Sequence, residues 1–562
     1  MSERIKVPAQ SPQQMKLFSA LLLTVGYAGA APDCSYVPDF SASDVAPFLN
    51  GTITTPTNKW AQAYFQAGIM HQWGFNQVEA ANMFACCVEA DPTAAMCHFG
   101  IAYAAGPFLN KPHSTKQEIS LASSSVLKAQ SLAAAHPVTA DEQLLIDSFQ
   151  RRFVGASTSA QTLGALAYRD YLKEACTPFS SCSTDVLALY AESEMDTMCS
   201  QGLSYYQDSL QTSHGAPNPS SVAAMSAMES ILTTQPSHVL ALHLYIHITE
   251  PLTPGGDAAK GEAAADGLAR LNLTESGHFE HMPSHLYLRV GRYDDVVNNN
   301  VLAHKADDLY YLYNHLPYGP AHNTYFLTVG AALDGQASTA IEYAHIMRDI
   351  YRPEGDEDDS PAEEMGWNAL LQYYVRFGMW QDVINDVEWN ARKYPFSLFL
   401  GHYCRGIAYA KLGELDLGEQ EYQQMLALID EVDSSFTSRV TVAKNTIEAL
   451  LAETNEEAIK KMVLAAEEQN SWGYNSPPLW SQPSNECLGA LYLKCEMWEA
   501  AEEAFGSDLV EYPENYSGLM GMVESLVGSG ADADTIAAWQ QRADIAGARA
   551  TIEYSSACMI FK

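Results

Sequence analysis

Residues 64–92 read YFQAGIMHQWGFNQVEAANMFACCVEADP, and the spacing of residues within this stretch decides the fold. Two small residues, Gly68 and Ala80, stand where two helices can cross closely, and Phe84 stands where a ring fills the gap beside the crossing. Pro92 follows Gly68 by 24 residues and ends the second helix, since proline cannot continue an α-helix. The stretch therefore predicts one closely packed helix pair.

The same spacing returns near the other end of the chain. Gly489, Ala501 and Phe505 occupy the corresponding positions, and Pro513 again follows the first glycine by 24 residues. Recurrence at this distance indicates a repeat protein in which each helix pair stacks on its neighbours. Less complete copies lie between the two: Gly406 with Tyr409, Gly418 and Tyr422, and the turn segments 289–293 (RVGRY) and 376–380 (RFGMW).

These positions resemble the tetratricopeptide repeat (TPR) family. The resemblance covers most of residues 58–545 in a degenerate form and implies an all-α, TPR-like α-solenoid of stacked helix pairs. It also implies a concave inner surface that takes a ligand or a protein partner. No run of strand alternation in the sequence competes with this interpretation.

The charge balance narrows the choice of partners. The chain has 562 residues, 47% of them hydrophobic, which is enough for a folded core. It carries 31 Lys and Arg against 68 Asp and Glu, a formal charge of −37. Because such a surface repels phosphates, nucleic acid and anionic membranes are poor partners. An unidentified protein or small-molecule ligand is expected, and self-association stays open.

The N-terminus has the features of a secretory signal. Residues 15–31 read MKLFSALLLTVGYAGAA, a basic start followed by a short apolar run and small residues suited to cleavage. We predict a signal peptide over residues 1–30, with Met15 as an alternative start. No later stretch reaches the ~18 apolar residues of a spanning helix, so a secreted or lumenal protein is expected.

Cysteines and sequons agree with that compartment. The chain has 11 cysteines, of which Cys176 and Cys182 are close enough in sequence to form a local disulfide. The pairing of the others cannot be deduced from the sequence, and the odd number leaves at least one thiol outside intramolecular pairs. Glycosylation sequons begin at Asn50, Asn272 and Asn515.

Composition and repeat register divide the chain. An extended segment is expected over residues 31–57, N-terminal helical repeats over 58–235, and central histidine-rich repeats with the site over 236–350. An acidic loop is expected over 351–365, followed by C-terminal TPR-like repeats over 366–562. The loop lacks the ligand pattern of a calcium-binding loop and is read as a solvated linker.

Histidines are concentrated in the middle of the chain. Of the 16 histidines, nine fall between positions 238 and 322. In 241–250 (ALHLYIHITE), His243, His247 and Glu250 lie on one face of a helix because their spacing follows its period. In 277–285 (GHFEHMPSH), His281 and His285 have the four-residue spacing with which two imidazoles reach one metal ion.

These five residues form the predicted metal site. Their His and Glu ligands suit Zn, Fe, Mn or Cu, and ligand type alone does not choose among these metals. Pro283 predicts a helix that begins there, which places His281 in the preceding loop. The residues expected outside the immediate ligand set are His278, His322 and Asn323.

The histidine segments also carry a narrower resemblance. The pattern YIHxxE at 245–250, GHxxHMPSH at 277–285 and a later His-Asn at 322–323 resembles a group of long TPR proteins of unassigned activity. This chain departs from that group at Gln77, where a histidine tends to occur. The resemblance implies that one site unites seven residues: His243, His247, Glu250, His278, His281, His285 and His322.

Outlying polar residues have two interpretations. Glu192, Glu194 and Asp196 either bring carboxylates to the same cavity or form a solvated helix face. His71 and His98 are read as packing residues of the first repeats.

Three functions remain open from the sequence. The leading hypothesis is a secreted TPR-like scaffold that binds a ligand or partner and carries a His/Glu transition-metal site. The first alternative is a metal-dependent enzyme, a hydrolase or oxidoreductase, acting on a small substrate in the groove. The second is a structural extracellular assembly protein without chemistry, in which the histidines are core groups. Nucleotide-binding and nucleophile motifs are absent from the sequence.

Overall fold

The computed structural model describes most of the chain. These residues are 5–6, 32–40, 45, 47–51, 53–54, 59–205, 217–251, 257–312, 315–350, 361–391, 394–473, 475–478, 480–552 and 554–562. The predicted signal peptide lies outside them except for β1 (Ile5–Lys6), which pairs antiparallel with β2 (Tyr36–Val37). All other regular structure in this part of the chain is helical, so the all-α prediction is confirmed.

Most helices pack against their neighbours in the chain. In chain order they are α1 (Lys59–Trp73), α2 (Gln77–Ala90), α3 (Ala95–Ala105), α4 (Lys116–Ala135), α5 (Ala140–Arg152), α6 (Thr158–Ala175), α7 (Thr184–Ser200), α8 (Pro219–Thr234), α9 (Val239–Thr249), α10 (Glu262–Leu271), α11 (Gly277–His281), α12 (Pro283–Val290) and α13 (Tyr293–Leu312). They continue with α14 (Pro320–Leu333), α15 (Ala337–Ile350), α16 (Pro361–Arg376), α17 (Trp380–Asn385), α18 (Pro395–Lys411), α19 (Leu415–Ala427), α20 (Thr437–Leu450), α21 (Asn455–Asn470), α22 (Ser484–Lys494), α23 (Trp498–Glu511), α24 (Tyr516–Ser529) and α25 (Ala533–Gly547).

The chain divides into two compact units. The first comprises Met1–Glu250, Gly261–Pro283 and Leu302–Gly319. The second comprises Pro251–Lys260, Ser284–Val301 and Pro320–Lys562.

In the first unit, one aromatic ring fixes the spacing of α1, α2 and α3. Phe84 on α2 is fully buried. A Cβ added at Gly68 on α1 would lie 2.6 Å from the Phe84 ring, and one added at Gly100 on α3 would lie 2.2 Å from it. Only glycine leaves room for the ring at both places, so the sequence spacing does produce closely crossing helices.

The second unit repeats this arrangement in α22, α23 and α24. Phe505 is fully buried, and added Cβ atoms at Gly489 and Gly521 would lie 2.6 Å and 2.2 Å from its ring. In both units each glycine stands 16 residues from the phenylalanine. The helix pairs are therefore TPR-like and stack on their neighbours, as predicted.

The N-terminal segment is not a free extension. Phe48 packs on Phe65 of α1 with ring centroids 6.0 Å apart. The backbone N–H of Leu49 donates to Asp185 Oδ2 at 2.9 Å, and that of Thr54 donates to Glu142 Oε1 at 2.6 Å. These contacts attach the segment to α5 and α7 within the first unit.

Four disulfides form, which indicates an oxidising compartment. Cys176 and Cys182 are bonded to each other, with Cα atoms 5.2 Å apart. The other three pairs are Cys34–Cys86, Cys87–Cys97 and Cys487–Cys558, and the free thiols are those of Cys199, Cys404 and Cys495. The structure thus supplies the pairing that the sequence left open.

Two local expectations need correction. A helix does begin at Pro283, but His281 is the last residue of the short helix α11 rather than part of a loop. Ser276 caps this helix by accepting from the backbone N–H of Phe279 at 3.4 Å. Of the acidic stretch 351–365, residues 351–360 lie outside the described residues, and Pro361 already begins α16.

The three sequons differ in accessibility. Asn50 and Asn272 are exposed. Asn515 is fully buried, and its side-chain amide donates to Glu486 and, at 3.0 Å, to Asp508 Oδ2. This packing leaves no room for a glycan at Asn515 in the folded chain.

No helix among the described residues combines the length and the apolar character that crossing a bilayer requires.

We predict that Gly100→Ala and Gly521→Ala each lower the free energy of unfolding by about 1–3 kcal/mol or more, because the new methyl group overlaps a buried phenylalanine ring. Urea unfolding followed by circular dichroism measures the effect. The control is Gly506→Ala on α23, where an added Cβ meets only Met522 Cε at 3.8 Å. Alanine should be neutral or stabilising there, since it favours a helix more than glycine does. Equal losses in all three variants would contradict the packing described.

Candidate metal centre

Three histidine nitrogens converge in the first unit. His243 and His247 lie on α9, and His278 lies on α11. His243 Nε2 is 3.1 Å from His247 Nε2 and 3.1 Å from His278 Nε2. All three residues are buried, and their candidate ligand atoms lie within 4.8 Å of one another. We call this group the histidine triad.

The local sequence explains why these rings meet. Every residue of α9 is buried, so the four-residue spacing of His243 and His247 directs both rings to one side of an interior helix. On α11, an added Cβ at Gly277 would lie 2.0 Å from Asp307 Oδ1, so glycine is needed where this short helix begins. His278 therefore lies in the first turn of α11, and this helix can begin where it does only because residue 277 is glycine.

Two outer contacts hold the imidazoles in place. His243 Nδ1 lies 2.7 Å from the backbone carbonyl of Trp73. A carbonyl oxygen only accepts hydrogen bonds, so Nδ1 carries the proton and Nε2 of the same ring carries the lone pair. His247 Nδ1 lies 3.4 Å from Glu250 Oε1. Glu250, predicted as a ligand, is placed behind a ligand instead, as carboxylates often are at metal sites.

The triad has the spacing of a metal-binding group. A neutral His243 has one lone pair on Nε2, yet two other imidazole nitrogens approach it. Nitrogen ligands at ~2.0–2.1 Å from a tetrahedral ion are about 3.3 Å from each other. The observed separations of 3.1 Å are close to that value. These two separations are compatible with nitrogen ligands of one transition-metal ion, and all three candidate ligand atoms lie within 4.8 Å of one another.

An aromatic wall covers the triad. The Phe75 ring lies 4.7 Å from His243, 5.4 Å from His247 and 5.1 Å from His278, measured between ring centroids. Tyr318 meets His278 edge-on at 5.1 Å. Phe75 sits in the turn between α1 and α2 with φ at +59°, a region that bulky residues avoid. The sequence interpretation missed Phe75, because its signal was only an aromatic residue within a helix-pair turn.

The remaining predicted ligands are placed as follows. His281 is fully buried in the first unit, and its ring lies 6.1 Å from that of His278. In the second unit, the rings of His285 and His322 lie 5.6 Å apart, and His285 Nδ1 lies 2.8 Å from Ser476 Oγ. Asn323 is buried on α14. The third member of the triad is thus His278, which the sequence placed outside the immediate ligand set.

Glu280 is a buried acid that the sequence interpretation passed over. It lies on α11 and is almost fully buried, with no hydrogen-bond partner for Oε1 among the described residues. Burial raises the pKa of Glu280 to about 7. A carboxyl group whose pKa lies near neutral can act as a general acid or base.

Glu192 and Asp196 belong to the interior and not to a solvated face. Tyr103 OH donates to Glu192 Oε2 at 2.6 Å, and Arg152 Nη2 donates to Asp196 Oδ2 at 2.7 Å. Burial, followed by the neighbouring Asp196 carboxylate, raises the pKa of Glu192 to about 8. Similarly, burial raises the pKa of Asp196, although Arg152 opposes the shift. The cluster is a buried polar network of α3, α5 and α7.

The packing roles expected for the outlying histidines agree with their contacts. His71 Nδ1 lies 3.2 Å from Tyr310 OH, and its ring packs edge-on against Tyr310. His98 is buried on α3, where burial lowers its pKa to about 4.

The comparison with known proteins gave structural similarities at low sequence identity and low TM-score. No protein-family model matches it, and no curated protein sequence matches it. The human IFIT1 dimer with PPP-AAAA is similar at 10% identity over 90% of this chain and 98% of that one, with a TM-score of 0.32. The APC/C hetero-tetramer Cut9–Hcn1 is similar at 11% identity over 89% of this chain and 89% of that one, with a TM-score of 0.28. The TPR domain of P58(IPK) is similar at 11% identity over 84% of this chain and 98% of that one, with a TM-score of 0.20. The TPR-like assignment itself rests on the helix crossings described above.

We predict that Glu192→Gln flattens the dependence of stability on pH. The folded state raises the pKa of Glu192 from 4.5 to about 8, so it holds this proton more tightly than the unfolded chain does. The contribution to stability is complete below pH 4.5 and is lost as the pH rises towards 8. The wild type should lose up to about 1.4 kcal/mol of unfolding free energy per pH unit relative to the variant in this window.

Urea unfolding at a series of pH values provides the measurement. Glu174→Gln is the control, because Glu174 is exposed on α6 and its replacement should leave the slope unchanged. Parallel curves for the wild type and Glu192→Gln would mean that Glu192 does not hold a proton in the folded chain.

Proposed function

We propose that this protein is a secreted TPR-like scaffold that binds a transition-metal ion through His243, His247 and His278. The convergence of three buried Nε2 atoms, two pairs of them 3.1 Å apart, carries the proposal. The Trp73 carbonyl at His243 Nδ1 supports it, because this contact leaves Nε2 in the form that binds metals. Four disulfides and the exposed sequons at Asn50 and Asn272 support secretion and glycosylation.

The ligand set favours zinc among the metals considered. Three imidazoles provide nitrogen donors only, whereas Mn(II) prefers carboxylate and other oxygen ligands. Copper(II) and nickel(II) favour tetragonal arrangements, and zinc has no electronic preference that conflicts with three converging rings. We therefore assign Zn(II) as the first choice, with Cu(II) as the closest competitor.

A bound ion would also act as a cross-link within the fold. The ligands come from α9 and α11, which are separated in sequence by α10. Binding to the folded state and not to the unfolded chain stabilises the folded state by mass action. The ligand or partner that such a scaffold holds would meet a surface whose geometry depends on this ion.

We predict that His278→Asn abolishes metal binding. The wild type, purified without chelators and without a histidine tag, should contain close to one zinc ion per chain by inductively coupled plasma mass spectrometry. The variant should contain almost none, since two imidazoles on α9 do not complete the set. Glu250→Gln should keep the site but weaken zinc affinity by about 10–100-fold in a chelator competition, because Glu250 supports a ligand from behind.

The matched control is His136→Asn, which changes an exposed histidine of the same unit and should leave the metal content unchanged. A wild type that stays free of metal after dialysis against zinc would overturn the proposal. So would full zinc content in His278→Asn. The first result would favour the alternative in which the histidines are core groups of an assembly protein, and the second would place the zinc at other residues.

A metal-dependent enzyme is the second candidate, and the ligand count favours it. The triad offers three nitrogens, the number found at catalytic zinc sites, where the fourth position is open. An ion with an open position supplies Lewis-acid chemistry. Glu280, whose pKa is raised to about 7 by burial, could move a proton on the same short helix.

We predict that cobalt(II)-substituted protein changes its visible absorption bands when azide is added, because azide enters the open coordination position. Titration of the cobalt-loaded wild type tests this, with sodium chloride at the same ionic strength as the control. A spectrum that does not respond to azide would exclude the enzyme candidate and leave the scaffold function in place.

A further inference from the structure

The second unit contains a cavity that the proposed function does not use. Its volume is about 310 Å³, which is within the range of small-molecule sites. It lies among the end of α21, the beginning of α22 and the end of α23. The side chains that matter for its chemistry are Asn470, Trp472, Trp480, Ser484, Asn485 and Asp508.

Three buried polar groups in this lining have no hydrogen-bond partner among the described residues. They are the Trp472 indole N–H, the Ser484 hydroxyl and Asp508 Oδ1. Ser484 and Asp508 are 3% and 1% exposed, so bulk water does not satisfy them. Buried polar groups are almost always paired in native proteins, which points to a ligand or ordered water at this place.

The side chains of the lining include both hydrogen-bond donors and hydrogen-bond acceptors. The Trp472 indole only donates, whereas the Ser484 hydroxyl both donates and accepts. Asn470 and Asn485 exchange hydrogen bonds of 2.9 Å and 3.4 Å, and each amide keeps a further donor and acceptor. A ligand rich in hydroxyl groups matches this set, because each hydroxyl also donates and accepts.

Charged ligands fit the lining less well. The Glu511 carboxylate in the lining disfavours an anion such as phosphate. A quaternary ammonium ion would find aromatic rings, but it would leave the Trp472 donor and the amide donors unmet. The Arg439 guanidinium, 4.8 Å from the centroid of the Trp472 ring, also repels a second cation there.

The aromatic residues complete the match. Trp472 is partly exposed and offers an apolar ring beside the polar groups. Trp480 is almost fully buried and packs on Tyr403, with ring centroids 5.6 Å apart. The C–H faces of a sugar ring are apolar and its edges carry hydroxyls, so it needs such a combination. We propose that this cavity binds a neutral mono- or disaccharide.

The saccharide site is independent of the metal centre. All its lining residues belong to the second unit, and the histidine triad belongs to the first. A protein without metal can therefore still bind the sugar, and the two proposals can fail separately.

Isothermal titration calorimetry of the full chain tests the proposal with a named panel. The panel contains glucose, galactose, mannose, N-acetylglucosamine, cellobiose and maltose, with choline as the cationic probe. We expect at least one sugar to bind, and choline not to bind. Binding of choline without any sugar, or no response to the whole panel, overturns the proposal.

Two variants connect binding to the cavity. Trp472→Phe keeps the ring but removes the indole donor and should weaken the binding of that sugar about 10-fold. Trp389→Phe is the control, because Trp389 lies in the second unit against Gly401 and is not part of the lining. Equal affinity of wild type and Trp472→Phe would contradict the assignment.

Ser484→Ala separates a binding role from a structural one. Removal of an unpartnered buried hydroxyl should leave the stability of the free protein unchanged or higher. The same variant should lose several-fold in sugar affinity. A loss of stability with unchanged affinity would show that the hydroxyl serves the fold, which contradicts the site.

Discussion

The contact of Phe84 with Gly68 and Gly100 is the constraint on which the first unit depends. It brings α1, α2 and α3 together and thereby fixes the turn after α1. That turn provides the Trp73 carbonyl for His243 Nδ1 and the Phe75 ring for all three imidazoles. The candidate metal centre thus combines the end of α1 and the turn that follows it with residues of α9 and α11.

Burial and proton placement together make the triad chemically selective. All three imidazoles of the triad are buried. The Trp73 carbonyl adds a directional effect, since it fixes the proton of His243 on Nδ1. A metal ion bound at His243 Nε2 would take the position that the proton has in the other tautomer. This combination distinguishes the triad from histidines such as His71, whose Nδ1 faces the Tyr310 hydroxyl.

The sequence predicted whatever depended on local periodicity and missed what depended on packing. The glycine and phenylalanine spacing gave the helix pairs, and the four-residue spacing gave His243 and His247 as neighbours. Spacing likewise gave His281 and His285, but a single period cannot reveal that Ser276 starts a separate short helix, which brings His278 to the triad. Likewise, the sequon at Asn515 carries no sign that its amide is buried.

At Phe75 the turn of the repeat favours glycine, whereas the candidate site uses an aromatic ring. In three helix pairs the residue seven positions after the crossing glycine has a left-handed backbone: Phe75 at +59°, Gly413 at +84° and Glu496 at +55°. The repeat therefore requires this conformation, which glycine adopts freely and other residues adopt at about 1–2 kcal/mol. A bulky aromatic residue is a poor choice for the turn itself. Its ring is nevertheless the group that touches His243, His247 and His278 together, so the strain is offset by packing at the centre. A residue that breaks a local rule while contacting every member of a candidate site is best explained by that site.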